Sequence, residues 1–369
     1  MNQKVRAIAF YLPQFYPTPE NDEWWEPGFT EWTNVAKAKP LYRGHYQPRI
    51  PKDLGFYDLR VPETREKQAQ LAREAGIEGF CYWHYWFAGR RLLDRVFTEV
   101  VESGKPDFPF CLCWANHSWY KKTWMPDMPD QLLIEQTYPG KQDYINHFYA
   151  MLPAFKDKRY IRTNSGELVF GIFDPVGFKD FPTFKKVWND LAKENGLEGF
   201  HFFAFTQGLF SLEMFNSNNY DDIVLEPLLA FSKLNEKSIW KKKMSHFKVY
   251  RLHKPIQRSY SDYVDYSLSC FKRYQAYTPC IDPDFDHSPR SGCYGVILHH
   301  STPQEWGRLL KKVISLFTTS QKEDFFLFIK AWNEWGEGNY LEPDQKWGQE
   351  YIKETSKVIK DFNAQSNTI

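Results

Sequence analysis

The stretch AWNEWGEGNYLEP, residues 331–343, sets Glu334 and Glu337 three residues apart, among Trp332, Trp335, Gly336 and Gly338. Two carboxyl groups among aromatic side chains suit the cleavage of a glycosidic bond. One carboxylic acid protonates the leaving oxygen while a second carboxylate acts as nucleophile or base. Three residues of extended chain span at most about 10 Å, so both groups can reach one scissile bond. On a straight strand an odd offset sends them to opposite faces. Gly336 and Gly338 let the chain turn, which brings both to one cleft. Aromatic neighbours would strip water from one carboxyl and raise its pKa, as a general acid requires. An isolated Glu-x-x-Glu in a solvated turn carries none of this meaning, so its place in the fold decides.

Apolar, aromatic-rich runs recur at 5–12, 79–86, 108–115, 168–174, 199–206, 223–226, 274–281 and 325–332. Continuous runs of this kind mark parallel strands covered on both faces. Helical periodicity occupies 64–75, 91–103, 143–156, 182–195, 304–318 and 347–361. Eight strands alternating with helices predict a (β/α)8 TIM barrel with long βα loops at its C-terminal face. No Gly-x-Gly-x-x-Gly follows the first strand, which removes the main support for a dinucleotide-binding sheet. With no repeat, low-complexity tract or linker in view, residues 1–369 read as one barrel domain with an insertion at about 228–270.

The glutamate motif follows the eighth strand, at the rim where such barrels build their sites. Roughly 50 residues separate the first strand from its helix, far above the usual handful, and they carry EWWEPGFTEWTNV and YRGHYQP. The loop after the third strand, WANHSWYKKTWMPDMPDQLLIEQTYPG, is long and aromatic too. Tyr11, Trp32, Trp83, His84, Trp114 and Asn116 stand at or just beyond strand ends, where they could stack on sugars or hydrogen-bond to them. Trp83 serves core packing equally well, and His84 could be a satisfied core histidine. Glu31 fits a sugar contact, a helix cap or a loop acid. Asp174, Glu226 and Asp282 each close a strand, placed to hold sugar hydroxyls or to brace the rim. Asn333 is expected to orient a glutamate, and Trp335 to flank the substrate. His299-His300 reads as loop surface, because adjacent side chains diverge on most backbones.

Lys and Arg total 47 against 46 Asp and Glu, a net charge of +1 that gives no argument for nucleic acid or an anionic membrane as a global partner. Aromatics make up 18% of the chain, more than a core alone explains, and suit stacking against sugar rings. Cys81, Cys111, Cys113, Cys270, Cys280 and Cys293 show no zinc spacing and read mainly as buried reduced thiols. No metal or cofactor is expected. The first apolar run is too short for a signal h-region or a membrane span, which predicts a cytoplasmic protein. The basic stretch KSIWKKKMSHFKVYRLHK reads as a solvated face, or as a site for phosphate or an acidic glycan.

FYLPQFYP, EPGFTEWTNV, GFCYWHYWF, CWANHSW…LIEQTY and above all WNEWGEG…LEP resemble the WbsX-like proteins of bacterial surface-polysaccharide gene clusters, over about residues 5–345. Those proteins are often labelled glycosyltransferases and are related to glycoside hydrolase family 99, the endo-α-mannosidases and endo-α-mannanases. The resemblance implies metal-free retaining catalysis on a (β/α)8 barrel. It implies that Glu337 is the general acid/base, and that Glu334 deprotonates the sugar's own 2-hydroxyl, which attacks C1 to give a 1,2-anhydro sugar. The leading expectation is therefore a glycoside hydrolase acting on an α-linked oligosaccharide or polysaccharide. A glycosyltransferase of O-antigen or capsule biosynthesis is the first alternative, although no glycine-rich phosphate loop supports it. A catalytically silent carbohydrate-binding barrel is the second. Neither the sugar nor the oligomeric state follows from the sequence.

Overall fold

The computed structural model describes residues 4–124, 128–207, 212–233, 239–317 and 324–365. Eight parallel strands close into a barrel: β1 (Val5–Tyr11), β2 (Gly79–His84), β3 (Phe110–Trp114), β4 (Leu168–Ile172), β5 (Phe200–Gln207), β6 (Asp222–Glu226), β7 (Thr278–Ile281) and β8 (Phe325–Ile329). They pair in chain order, and β8 returns to β1 with Val5 opposite Phe325. All eight expected strands are present, each trimmed or shifted by a few residues. The expected strand 79–86 stops at His84, and Trp86–Phe87 pairs with Arg90–Arg91 as a separate antiparallel ribbon.

Around the barrel lie α1 (Pro62–Ala75), α2 (Arg95–Ser103), α3 (Lys141–Phe155), α4 (Phe181–Glu194), α5 (Ile239–Leu252), α6 (Tyr260–Arg273), α7 (Pro303–Phe317) and α8 (Glu350–Gln365). The expected end of α7 at 318 lies outside the described residues. Helix α6 falls largely inside the span read as an insertion. Its buried Tyr260, Tyr263, Val264, Ser267, Leu268 and Phe271 form a helical stripe that packs on α7. No helix among the described residues is long and apolar enough to cross a membrane. All six cysteines are free thiols, five of them buried.

Much of the aromatic content fills the barrel. Phe10 stacks on Trp83 with centroids 4.5 Å apart and meets Phe205 at 5.2 Å and Phe328 at 5.5 Å. Such pairs add to the area they bury. Gly171 admits the ring of Phe203: a Cβ there would sit 2.3 Å from Cζ of that ring. A second aromatic layer, centred on Trp188, fills the space between strands and helices.

Candidate active site

Beyond β8 the chain forms a short hairpin. Asn333–Glu334 pairs antiparallel with Asn339–Tyr340, and a 3-10 turn over Trp335–Glu337 joins them. Gly338 closes the turn at φ +60, a left-handed conformation that glycine adopts without strain. Asn333 pins this hairpin to the end of β1: its Oδ1 accepts Leu12 N–H at 2.8 Å, and its Nδ2 donates to Leu12 O at 3.1 Å. Trp335 stacks on Tyr340 at 3.8 Å and donates through Nε1 to buried Glu342 at 2.6 Å. Glu334 and Glu337 are thereby both directed into one cleft of about 700 Å3, a size typical of ligand pockets.

Arg290 ties the cleft together. Its Nη1 donates to Glu337 Oε1 at 2.5 Å and to Glu334 Oε1 at 3.4 Å, while Nε donates to Glu31 Oε1 at 2.8 Å. The two Nη1 contacts keep Glu334 Oε1 and Glu337 Oε1 no more than about 6 Å apart. Glu31 opens the helix Glu31–Lys37, whose start Thr30 fixes by accepting Trp32 N–H and donating its own N–H to Thr33 Oγ1. Gly336 gives this bridge room, since a Cβ there would lie 1.7 Å from Glu31 Oε1. Below, Lys330 Nζ reaches Glu337 Oε2 at 3.3 Å.

This arrangement splits the pair. Burial, then the neighbouring Glu337, raises Glu334 to about 7, only partly offset by Lys330 and Arg290. Burial pushes Glu337 the same way, but Lys330, Arg290 and His287 outweigh it and hold the group at about 2. Below pH 7 the pair therefore favours one proton on Glu334 and one charge on Glu337. Under Lys330, burial raises Asp282 to about 6 with a further push from Glu337, and burial together with the charge of Asp282 lifts Glu226.

The walls are aromatic. Trp24 and Trp25, from the helix Pro19–Trp24 and its C-cap, face Trp119, Tyr120 and Trp124 of the loop after β3. Trp25, stacked on Phe29, is 40% exposed and Trp124, edge-on to His287, is 37% exposed. Residues 125–127 of that loop lie outside the described residues. Trp83, stacked on Phe10, and Tyr85 also line the cleft.

Of the residues singled out from sequence, Glu334, Glu337, Glu31 and Trp83 meet in the cleft, and the others lie around it. Phe10 and Trp83 point inward, so strand alternation turns Tyr11 and His84 outward. Tyr11 bonds Gln68 of α1, and His84 Nε2 lies 2.7 Å from His147 Nε2 of α3. Trp114 is the register partner of His84 and faces the same helix layer, donating to Trp86 O. Asn116 clamps β3 to β4 by bonding both N–H and C=O of Asp174, whose own carboxylate caps Gly177. Trp32 packs on Phe15, Tyr57 and Trp335. Glu226 and Asp282 form a second layer below Lys330, with Asp282 held by Tyr263 and Asn339. Asn333 and Trp335 brace the hairpin from behind. YRGHYQP is a strap: His45 and Gln47 bond Asp286, whose N–H bonds Glu337 O. His299 and His300 converge, Nδ1 to Nδ1 at 3.1 Å, because His300 takes φ +61. Among the described residues no group of three or more His, Cys, Asp or Glu is placed to hold a metal.

Sequence reasoning missed Lys330, Arg290 and His287. Lys330 left a signal, a lone lysine in the buried run FFLFIKAW, since lysines are seldom buried without a partner. Arg290 left none, because its partner Glu31 is 259 residues away.

A family model described as Glycosyltransferase WbsX matches residues 7–355. The chain belongs to the WbsX family. Two relatives of this WbsX-family chain, the WxcX proteins of Xanthomonas campestris pv. campestris strains B100 and ATCC 33913, are each 33% identical over 362 residues. The match covers 95% of this chain and 49% of theirs, so the chain spans about half their length. The GH99 endo-α-mannosidase from Bacteroides thetaiotaomicron superposes with a TM-score of 0.58 over 99% of each chain at 13% identity. A glycoside hydrolase-like protein gives 0.58 over 97% of this chain and 94% of its own, also at 13%. At that identity the likeness establishes the fold, and the WbsX chain shares its barrel with glycoside hydrolases.

Proposed function

We propose that the protein is a retaining glycoside hydrolase that cleaves an α-linked glycan, with Glu334 and Glu337 as its catalytic pair. The observation that carries this reading is the pair itself: two glutamates on one arginine nitrogen inside an aromatic-walled cleft. One proton over two carboxyls is the count that acid catalysis with a second carboxylate needs. In the mechanism implied by the family 99 resemblance, Glu337 protonates the leaving oxygen while Glu334 takes the 2-hydroxyl proton. Burial and the two cations favour the proton on the opposite partner. A sugar that draws Arg290 off Glu337 weakens the charge stabilising that carboxylate and lets the proton cross. Trp25, Trp124 and Trp83 offer faces for the sugar rings.

The family's description favours a second reading, transfer from a nucleotide sugar. Against it, the described cations lining the cleft already face carboxylates: Arg290 and Lys330 as above, and Lys122 with Asp130 at 2.6 Å. A diphosphate would have to compete for them. The test is a panel of α-linked oligosaccharides, incubated with and without nucleotide sugars, for the native protein and for Glu334→Gln and Glu337→Gln. Nucleotide-independent cleavage with retained anomeric configuration, abolished in both variants, is expected. Chain extension that requires a nucleotide sugar, or glycan binding without turnover, overturns the reading.

A further inference from the structure

Residues 237–261 carry eight Lys and Arg and no Asp or Glu, in a chain whose net charge is only +1. Helix α5 lies within this stretch. It packs by its buried Val249 and by Tyr250, whose ring is 5.5 Å from that of Tyr294. Its outer side presents Met244 at 56% exposure, Phe247 at 51% and Leu252 at 48%, alongside exposed Lys248 and Arg251, with Lys254 just beyond the helix. Lys248, Arg251 and Lys254 form no ion pair with any described residue. Large apolar side chains and unpaired cations thus share one exposed face.

We propose that this face docks the protein onto an anionic lipid bilayer, with α5 lying in the plane of the interface. The cations supply attraction to anionic headgroups, and Phe247, Met244 and Leu252 enter the acyl boundary. A soluble anionic polymer would satisfy the charge yet leave those three side chains in water. The surface is built onto the cleft. α5 packs against the 3-10 turn Gly292–Tyr294, with His253 Nδ1 3.9 Å from Cys293 Sγ. That turn continues the short helix Ser288–Ser291, which carries Arg290 into the site. A bilayer on α5 would therefore lie beside the cleft, placed to present a glycan carried on a membrane anchor.

The test is cosedimentation of the full chain with vesicles of phosphatidylglycerol and phosphatidylethanolamine, against vesicles of phosphatidylcholine and against heparin. Binding to the anionic vesicles that weakens with salt is expected. The triple variant K248A/R251A/K254A should lose roughly a hundredfold in partitioning, about fivefold for each charge. F247S should also weaken binding. All these positions are exposed, so the melting temperature should stay unchanged. K353A/K357A/K360A, which removes as many exposed charges from α8, should bind like the native protein. Equal partitioning onto phosphatidylcholine, retention on heparin alone, or vesicle binding insensitive to the α5 variants overturns the proposal. Sedimentation needs no turnover, so its failure is separable from failure of the hydrolase reading.

Discussion

Replacing Glu334 by Gln keeps the shape of the side chain and removes its ionisation, which turns the split pair into a measurable stability difference. The Glu334 carboxyl stands at about 7 in the folded cleft against an ordinary 4.5. Its side chain is 8% exposed, so solvent screens it little. At 1.36 kcal/mol per pH unit, that displacement is worth roughly 3 kcal/mol. A folded pKa raised above the unfolded one stabilises fully below the unfolded value, and the benefit is lost as pH rises through the folded value. The native protein should therefore lose about 3 kcal/mol relative to Glu334→Gln between pH 4.5 and pH 8, most of it by pH 7. Urea denaturation of both proteins across this range gives the difference directly. Glu342, lifted by burial to about 7, and Asp282, at about 6, act in both proteins and cancel. Parallel stability curves over the whole range would refute the assignment of the proton, and a native protein that gained on the variant with rising pH would reverse it.

Glu337→Gln should behave in mirror image. Held at about 2, this carboxylate stabilises above its ordinary 4.5 and loses that contribution as pH falls to 2, so the variant should be roughly 3 kcal/mol less stable at pH 6 and equal near pH 2, again by urea denaturation. Lys330→Met removes the cation shared by Glu337, Glu226 and Asp282. It should cost about 3–5 kcal/mol at pH 7, with a smaller deficit at pH 4, where more of those acids are protonated. Gly336→Ala drives a methyl group into Glu31 Oε1 and to 2.9 Å from Arg290 Nε. A cost of about 1–3 kcal/mol is expected by chemical denaturation, together with loss of cleavage in the oligosaccharide panel.

The barrel was legible because buried parallel strands are written as unbroken apolar runs, which do not depend on knowing their neighbours. The acid pair was legible for a related reason: hairpin, turn glycine and both carboxyls lie within one short segment. Side-chain direction was harder. Trp83 and His84 differ by a single residue, and alternation sends one to the cleft and the other to α3. Rim residues such as Asn116 and Asp282 hold backbone and side-chain partners that a strand-end position alone does not reveal. Helix α6 was missed although its stripe of buried residues is regular, because the basic run before it drew the whole region into one insertion. Arg290 could not be found, since its role exists only once segments from both ends of the chain meet.

The charge count at the cleft explains why the pair splits. Glu31, Glu334 and Glu337 crowd Arg290, while Glu337, Glu226 and Asp282 crowd Lys330. Five carboxyl groups thus share two cations in a buried space. Leaving all five ionised would bury uncompensated charge at a cost of several kcal/mol per ion, so protons are retained instead. They remain where the cations reach least: on Glu334, 3.4 Å from Arg290 against 2.5 Å for Glu337, and in the Glu226–Asp282 layer. The location of the proton shared by the pair therefore follows the reach of Arg290 and Lys330. A neutral sugar that moved Arg290 or Lys330 away from Glu337 would therefore raise the affinity of that carboxylate for a proton without bringing a charge of its own.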